Sequence, residues 1–398
     1  MYLESAASSG MTGSLSGLPR VRTLMTMPCA VSGVGSTCRS VLAAATRAGF
    51  PLTFDTSRFD GGREPSLPVR TVLGQVFGQV PYWAVRPLAG NLLHRRFLAS
   101  VQPGEVAYLW PSVPVSVYRA LKSRGVPIVA EAINTRMAVA RPILEDAYAR
   151  LGLPPGHGIT DRRIAEQAER YALADYIFAP SPGTAAALAD PAISARILPS
   201  SYGAAIPAAL PERRVKSAGD PVTFLFVGQQ SVRKGLQTVL EAWKSAPSHA
   251  RLRIVGGIEP HLIRLYRDVL NLPSVTSVGF TRDVAAEYLN ADVFLFPSLE
   301  EGDALVTYEA AAHALPIIAT VVGAGRFGAD TGVYVEVPPL DPSALADRIA
   351  AFAGSGDLRR DLGQRARSAV LPYDWTFVGP RTFRTLHERL KADGIARQ

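Results

Sequence analysis

Cysteine is nearly missing from this chain of 398 residues, with only Cys29 and Cys38 present. Two thiols make neither a disulfide framework nor a metal-ligand pattern, and a reducing compartment suits them. Apolar stretches long enough to span a bilayer are lacking too. The first residues carry Glu4 and then small polar types, with no basic start and no apolar run, so a secretory signal is not expected. Acid is absent from 65–104, a segment that holds Arg70, Arg86, Arg95 and Arg96. Over the whole chain the charge is +8, from 42 Lys and Arg against 34 Asp and Glu. Such a balance suits nucleic acid, an anionic membrane face, a diphosphate substrate or plain solubility, and charge alone does not choose among them. No zinc spacing or RNA-recognition sequence accompanies it and the basic residues are dispersed, which argues against a nucleic-acid partner.

What is present is apolar matter for two cores. Hydrophobic residues make up 47% of the chain, whose length exceeds what one core usually supports. Residues 1–20, rich in Gly and Ser, read as a frayed leader. From Arg22 an apolar run reaches Met27, a turn holds Ser32, Gly33, Val34 and Gly35, and a helix is expected over about Ser36–Arg47. Extended runs follow at Leu52–Phe54, Val106–Trp110, Pro127–Ala130, Tyr176–Ala179 and Ile197–Leu198, with a helix over Pro114–Lys122. After an exposed linker at 206–220, strands are expected at Thr223–Val227, Leu252–Val255, Val275–Val278, Val293–Phe296 and Ile317–Ala319. Helices separate them at Leu236–Trp243, His261–Leu270, Val284–Leu289 and Val306–His313, and three more are expected at Ser343–Phe352, Leu358–Ala366 and Trp375–Leu390. Alternation of this kind predicts an α/β chain of two doubly wound parallel sheets facing across a crevice, with strands buried on both faces.

Ligands of open α/β sheets sit beyond the carboxyl ends of the strands. Four loops there carry chemistry. Gly228–Gly235 ends in Arg233, Lys234 and Gly235, a cation pair before a helix start that suits phosphate oxygens and equally suits a solvated helix. It lacks the glycine spacing of a nucleotide-hydrolase phosphate loop. Pro297–Ala304 includes Glu301, with Glu309 on the following helix, so two carboxylates are placed to address different parts of one ligand. Glu309 suits a ribose diol, while Glu301 and the amides of Asp303, Ala304 and Leu305 suit a sugar. Gly302 lets backbone approach a ligand closely. Thr320–Arg326 offers Arg326 to an anion, or is an ordinary turn. The pair Gly33 and Gly35 would admit a diphosphate or an acceptor near the backbone.

Together these residues resemble a known family. Phe226–Val227–Gly228 through Arg233–Lys234–Gly235, with Ala242 and Trp243, is similar to the donor-phosphate loop of retaining glycosyltransferase family 4, of the GT-B fold. Phe296–Pro297–Ser298, Glu301–Gly302, Glu309–Ala310 and Leu315–Thr320 resemble its paired-glutamate signature. Tyr171, Ala174–Tyr176, Pro180–Ser181 and Tyr202–Gly203 resemble the approach to its linker. The likeness implies a GT-B fold of two Rossmann-like domains: an acceptor-binding domain over 21–205 and a nucleotide-sugar domain over 221–370. A helix in 371–398 would cross back onto the first.

The resemblance also implies roles. Lys234 and Arg233 would bind the donor diphosphate beside Gly228 and Gln229, Glu309 the ribose, and Glu301 with Gly302–Leu305 the transferred sugar, without a metal or a separate cofactor. Glu301, Lys234, Arg233 and Asn134 are the catalytic candidates. The donor would be a nucleotide-diphosphate sugar and the acceptor a glycan or lipid-linked species on the cytoplasmic side. Three positions depart from the family. Gln229 stands where an arginine is usual, Asp303 interrupts the usual Gly-Phe-Gly, and the loop after Pro127–Ala130 offers Glu131, Asn134, Thr135 and Arg136 but no histidine. These departures leave a nucleotide-sugar epimerase or hydrolase, or a binding protein with impaired catalysis, as alternatives. Leu73, Val76, Phe77, Tyr82, Trp83, Leu92, Leu93, Phe97 and Leu98 alternate with the arginines of 70–98, which suits peripheral docking on an anionic membrane. Leu92, Leu93 and Phe97 equally suit the core face of an ordinary helix with the arginines facing water, and Pro81 and Pro87 are expected to interrupt any long surface helix.

Overall fold

The computed structural model describes residues 17–395 apart from 32, 61–63, 74–81, 191–192, 194–195, 212–218 and 330–331, and the side chains of 82–87 and 329 are left aside. Most of the leader, Ser32, the middle of the linker, Val76 and Phe77, and the side chains of Tyr82, Trp83 and Arg86 therefore lie outside the described residues.

Short apolar runs form the strands of two sheets. The first contains β1 (Val21–Met25), β2 (Leu52–Thr56), β3 (Val69–Thr71), β4 (Val106–Leu109), β5 (Ile128–Glu131), β6 (Tyr176–Ala179) and β7 (Ile197–Pro199). All pairings are parallel, in the order β3-β2-β1-β4-β5-β6-β7. The second contains β8 (Val222–Val227), β9 (Ala250–Val255), β10 (Val275–Gly279), β11 (Val293–Phe296), β12 (Ile317–Ala319) and β13 (Val335–Glu336), again parallel, in the order β10-β9-β8-β11-β12-β13. Both sheets reverse direction beside their first strand, between β1 and β4 and between β8 and β11. Each is thus a doubly wound Rossmann-like domain, and the two face each other across a cleft. Central strands β4, β5 and β11 are buried along their whole length. Strand β10 departs from the expected two-sided burial because it closes the sheet edge with one neighbour, and Thr276 and Ser277 face water.

Helices of the first domain are α1 (Gly33–Arg47), α2 (Tyr82–Ser100), α3 (Val115–Ser123), α4 (Met137–Arg150), α5 (Asp161–Leu173) and α6 (Pro182–Ala187). The second has α7 (Leu236–Trp243), α8 (Pro260–Leu265), α9 (Arg267–Leu270), α10 (Val284–Asn290), α11 (Leu305–Ala312), α12 (Pro342–Gly354) and α13 (Gly356–Val370), and α14 (Trp375–Ala392) closes the chain. The helix expected over His261–Leu270 breaks at Tyr266 into α8 and α9.

Against expectation, α2 runs through Pro87 without interruption. A proline near a helix start removes one backbone bond, and burial of Leu93 and Phe97, 1% and 0% exposed, anchors the rest. Arg70 does not belong to the open basic face, since its guanidinium grips Asp55 at 2.7 Å and Ser100 Oγ at 2.8 Å. Leu88 and Leu92 remain exposed, as do Arg95 and Arg96. Among the described residues no helix is long and apolar enough to cross a membrane.

Two crossings join the domains. Ala204 bridges Asp374, with Ala204 N donating to Tyr373 O at 3.1 Å, and Asp374 caps α14 at Thr376 N while accepting Ile206 N. Helix α14 then packs on α1, where Gly379 lets the helices touch: a Cβ there would lie 2.5 Å from Val41 O. Gly203 serves the same purpose at the crossing itself, where a Cβ would fall 1.9 Å from Tyr373 O. Gly203→Ala is expected to cost about 1–3 kcal/mol through this overlap. Calorimetry should show its unfolding transition several degrees below that of the wild type.

Candidate active site

The switch crevice of the second sheet lies between β8 and β11, so the loops leaving these strands form its walls. The β8 loop is fixed before its charges appear. Buried Gln230 donates its side-chain amide to Val255 O at 2.7 Å, and Gly228 (φ +134°) passes under Gly256. Gln229 points out, exposed. Val232–Lys234 makes one 3-10 turn, and left-handed Gly235 (φ +80°) packs flat on the Pro297 carbonyl, where a side chain has no room. This contact presses the cation pair against the β11 loop. Lys234 Nζ forms an ion pair with Glu301 and lies over the Phe296 ring at 5.2 Å, and Ser298 Oγ donates to Glu301 at 2.7 Å. Arg233 Nη1 reaches Glu300 at 3.0 Å and Glu301 at 4.0 Å.

Sequence reasoning anticipated a cationic turn facing two separated acids. Those acids were Glu301 and Glu309; the structure puts Lys234 against Glu301, adds Glu300 as the partner of Arg233, and bonds Glu309 to Tyr288, with Glu300 and Glu301 only 4% and 6% exposed. Burial pushes the Glu301 carboxyl up, but Lys234, Arg233 and the Ser298 hydroxyl outweigh it and hold the group below its ordinary range. Burial lowers the Lys234 ammonium, opposed by Glu301. For Glu300 burial prevails over Arg233 and the carboxyl is raised. Glu309 stands on α11, half-buried, and accepts the Tyr288 hydroxyl at 2.8 Å; burial raises its carboxyl, with Tyr288 opposing.

Several anticipated residues have other surroundings. The close approach that Gly302 allows is to protein, because a Cβ there would strike Ile133 O and come within 2.9 Å of the Asn134 Cα. Asn134 itself is exposed beside that contact. The Asp303 side chain turns inward, accepting Tyr202 N at 2.9 Å, Tyr308 OH at 2.8 Å and Arg326 N at 3.1 Å, and burial raises its carboxyl to about 6. The Asp303 carboxylate is therefore taken up by protein partners, and Ala304 and Leu305 follow it at the start of α11. Arg326 is likewise engaged, donating to Pro180 O at 2.9 Å and to Ser200 O. In the first domain Gly33 (φ +59°) opens α1, and Gly35 is a packing glycine, since a Cβ would lie 2.4 Å from Ala30 N.

Sequence reasoning named Glu131, Thr135 and Ser181 without giving them a contact, and passed over Thr184. Thr135 joins the domains, its Oγ1 donating to Glu301 O at 2.8 Å and its N to Glu300 at 3.0 Å. Ser181 and Thr184 both donate to Gly302 O. Glu131, 5% exposed at the end of β5, accepts Tyr108 OH and Tyr202 OH, each at 2.5 Å. An acid closing an apolar strand was the available signal for Glu131. On the first sheet's own switch crevice, His94 of α2 bonds Thr26 at 3.0 Å just beyond β1, and burial lowers its imidazole.

Comparison with known proteins agrees with this architecture. A family model described as glycosyl transferases group 1 matches residues 221–355, the part that holds both loops. The capsular polysaccharide biosynthesis glycosyltransferase CapM of Staphylococcus aureus is 29% identical over 170 residues, covering 40% of this chain and 44% of the relative. The chain thus spans less than half the length of the curated relatives it matches. Sucrose-phosphate synthase from Thermosynechococcus elongatus superposes with a TM-score of 0.72 at 19% identity, over 94% of this chain and all of that one. HepE of Anabaena, solved with UDP-glucose, gives 0.66 at 14% identity over 93% and 99%. The chain has the GT-B fold.

Proposed function

We propose that the chain is a retaining glycosyltransferase that moves a sugar from a nucleotide-diphosphate donor to a glycan or lipid-linked acceptor in bacterial surface polysaccharide or glycolipid synthesis. The observation that carries this reading is the ion-paired set of Arg233, Lys234, Glu300 and Glu301 at the switch crevice, with Glu309 on the helix that follows. Its similarity to a capsular polysaccharide glycosyltransferase, and to a fold solved with UDP-glucose, points the same way.

In this reading the donor diphosphate takes over Lys234 and Arg233 beside Gly228 and Gln229, which frees Glu301 for the sugar hydroxyls. Glu309 takes the ribose diol, and the amides of Asp303, Ala304 and Leu305 face the sugar with Gly302. The bond from the anomeric carbon to the phosphate oxygen breaks while the acceptor oxygen bonds on the same face. The acceptor proton passes to the departing phosphate, whose charge Lys234 stabilises. Asn134 faces the site from the first domain, and the α1 start with Gly33 lies on the acceptor side. The exposed face of α2 with Leu88, Leu92, Arg95 and Arg96 would rest on the inner surface of the cytoplasmic membrane.

Titration calorimetry against UDP, GDP and ADP, free and as sugar conjugates, tests the reading, and no binding at millimolar concentration would end it. Glu309→Ala is expected to weaken nucleotide binding about tenfold, the loss of a hydrogen bond to a charged acceptor, with kcat little changed. A second reading, nucleotide-sugar binding without transfer, is favoured by exposed Gln229 in place of a cation. It predicts binding with no sugar release, whereas a hydrolase or epimerase releases product without an acceptor.

A further inference from the structure

The loop 300–303 belongs to the second domain, where Arg233, Lys234, Ser298 and Tyr308 hold its carboxylates, yet every residue of it also takes a donor from the first domain. Thr135 N donates to the Glu300 carboxylate at 3.0 Å and Thr135 Oγ1 to Glu301 O at 2.8 Å. Thr184 Oγ1 donates to Gly302 O at 2.7 Å, joined there by Ser181 Oγ, and Tyr202 N donates to the Asp303 carboxylate at 2.9 Å. Thr135 follows β5, Ser181 and Thr184 cap and open α6 after β6, and Tyr202 follows β7 on the way into the domain crossing. All four are buried, and Thr184 is 0% exposed.

Tyr202 is fixed at both ends. Its hydroxyl donates to Glu131, which also holds Tyr108, while its amide holds Asp303, which in turn takes Tyr308 OH and Arg326 N. A rigid aromatic strut therefore runs from the central strands of the first sheet to the loop of the second. If the domains separate, the Gly302 carbonyl and the loop carboxylates lose these donors together. Water would then satisfy the Gly302 carbonyl, while the carboxylates would keep their own-domain partners Arg233, Lys234, Ser298, Tyr308 and the Arg326 amide, which leaves the backbone at Gly302 without a protein donor among the described contacts.

We infer that the first domain sets the conformation of loop 300–303, with Thr184 and Tyr202 as positioning residues, so that the sugar end of the site forms only when the two domains meet. This rests on the donor-site reading proposed above. Lys234 and Arg233 sit on the β8 loop, so a nucleoside diphosphate binds without this assembly, whereas transfer requires it.

The test uses the full chain as Thr184→Val and Tyr202→Phe, singly and together, with Thr184→Ser as the conservative control. Hydrogen exchange of peptides covering 299–305, UDP affinity by calorimetry, and kcat and KM for sugar release from a nucleotide sugar are the readouts. Exchange is expected to rise about tenfold and kcat to fall about tenfold, the scale of one lost hydrogen bond. KM and UDP affinity should stay within about twofold, and Thr184→Ser should restore both exchange and turnover. Loop exchange equal to wild type in the double variant would overturn the inference, and so would UDP affinity falling in step with kcat. If the wild type binds no nucleoside diphosphate, the proposed function fails, and loop exchange alone then decides the positioning role.

Discussion

Lys234→Ala is expected to lower turnover about a hundredfold to a thousandfold, the range seen when one preorganised group facing developing charge is removed. It should weaken donor binding as well. The loss has a second component that a surface lysine would not show. Lys234 is the ion-pair partner of Glu301, whose carboxylate is 6% exposed and retains only Arg233, at 4.0 Å, and the Ser298 hydroxyl. Removing one member of a buried pair leaves the other charge uncompensated, at a cost of about 3–5 kcal/mol. The variant should therefore unfold at lower temperature and relieve itself by taking up a proton on Glu301, so its deficit shrinks as the pH is lowered. Lys234→Met with Glu301→Gln separates the two effects: the double variant recovers most of the stability but none of the turnover. Calorimetry and donor turnover on the wild type, Lys234→Met, Glu301→Gln and the double variant check it. Full turnover in Lys234→Ala would remove the lysine from the reaction.

Much of this arrangement is legible locally. The runs at Val222–Val227 and Val293–Phe296 are apolar enough to be central parallel strands, and a loop leaving such a strand toward a helix lies at the sheet's carboxyl edge wherever the rest of the chain goes. That logic placed Lys234 and Glu301 on neighbouring loops. It said nothing about what each side chain would touch. Asp303 stood out as a departure inside the Gly302–Leu305 run, and nothing in its own segment shows that Tyr202 and Arg326 arrive to hold it. Gly302 looked like ligand clearance, and its space is taken by the Ile133 carbonyl from the other domain. Proline at 87 suggested a broken helix on local chemistry, and tertiary burial of Leu93 and Phe97 overrides that preference. These differences share one cause: contacts with other elements of the fold, from the neighbouring α3 to the other domain, leave no periodicity to read.

Glu131 gives the last expectation, and its sign is the reverse of the usual carboxylate case. Burial raises its carboxyl from 4.5 to about 7, against the opposing hydrogen bonds from Tyr108 and Tyr202. The folded chain therefore holds more protons than the unfolded chain between those two values. Stability linked to this group is fully present below about 4.5, declines as pH rises, and is lost above about 7. At about 1.4 kcal/mol per unit the whole effect is on the order of 3 kcal/mol. The groups facing Glu131 are the Tyr108 and Tyr202 phenols and the Cys38 thiol, all raised above their ordinary values by burial, so none of them ionises in this window. Elsewhere Asp303 acts in the same direction up to about 6, and His387, whose imidazole burial lowers to about 4, acts in the opposite one. The wild-type curve alone is therefore a mixture. Glu131→Gln keeps an acceptor for one phenol and a donor for the other, and removes only the titration. Subtracting its stability from that of the wild type across pH 4 to 8 cancels Asp303 and His387 and should leave a single downward step for the wild type, ending near neutrality. A flat difference curve would mean that Glu131 titrates alike in the folded and unfolded chain, and that its carboxyl is not held neutral between the two phenols.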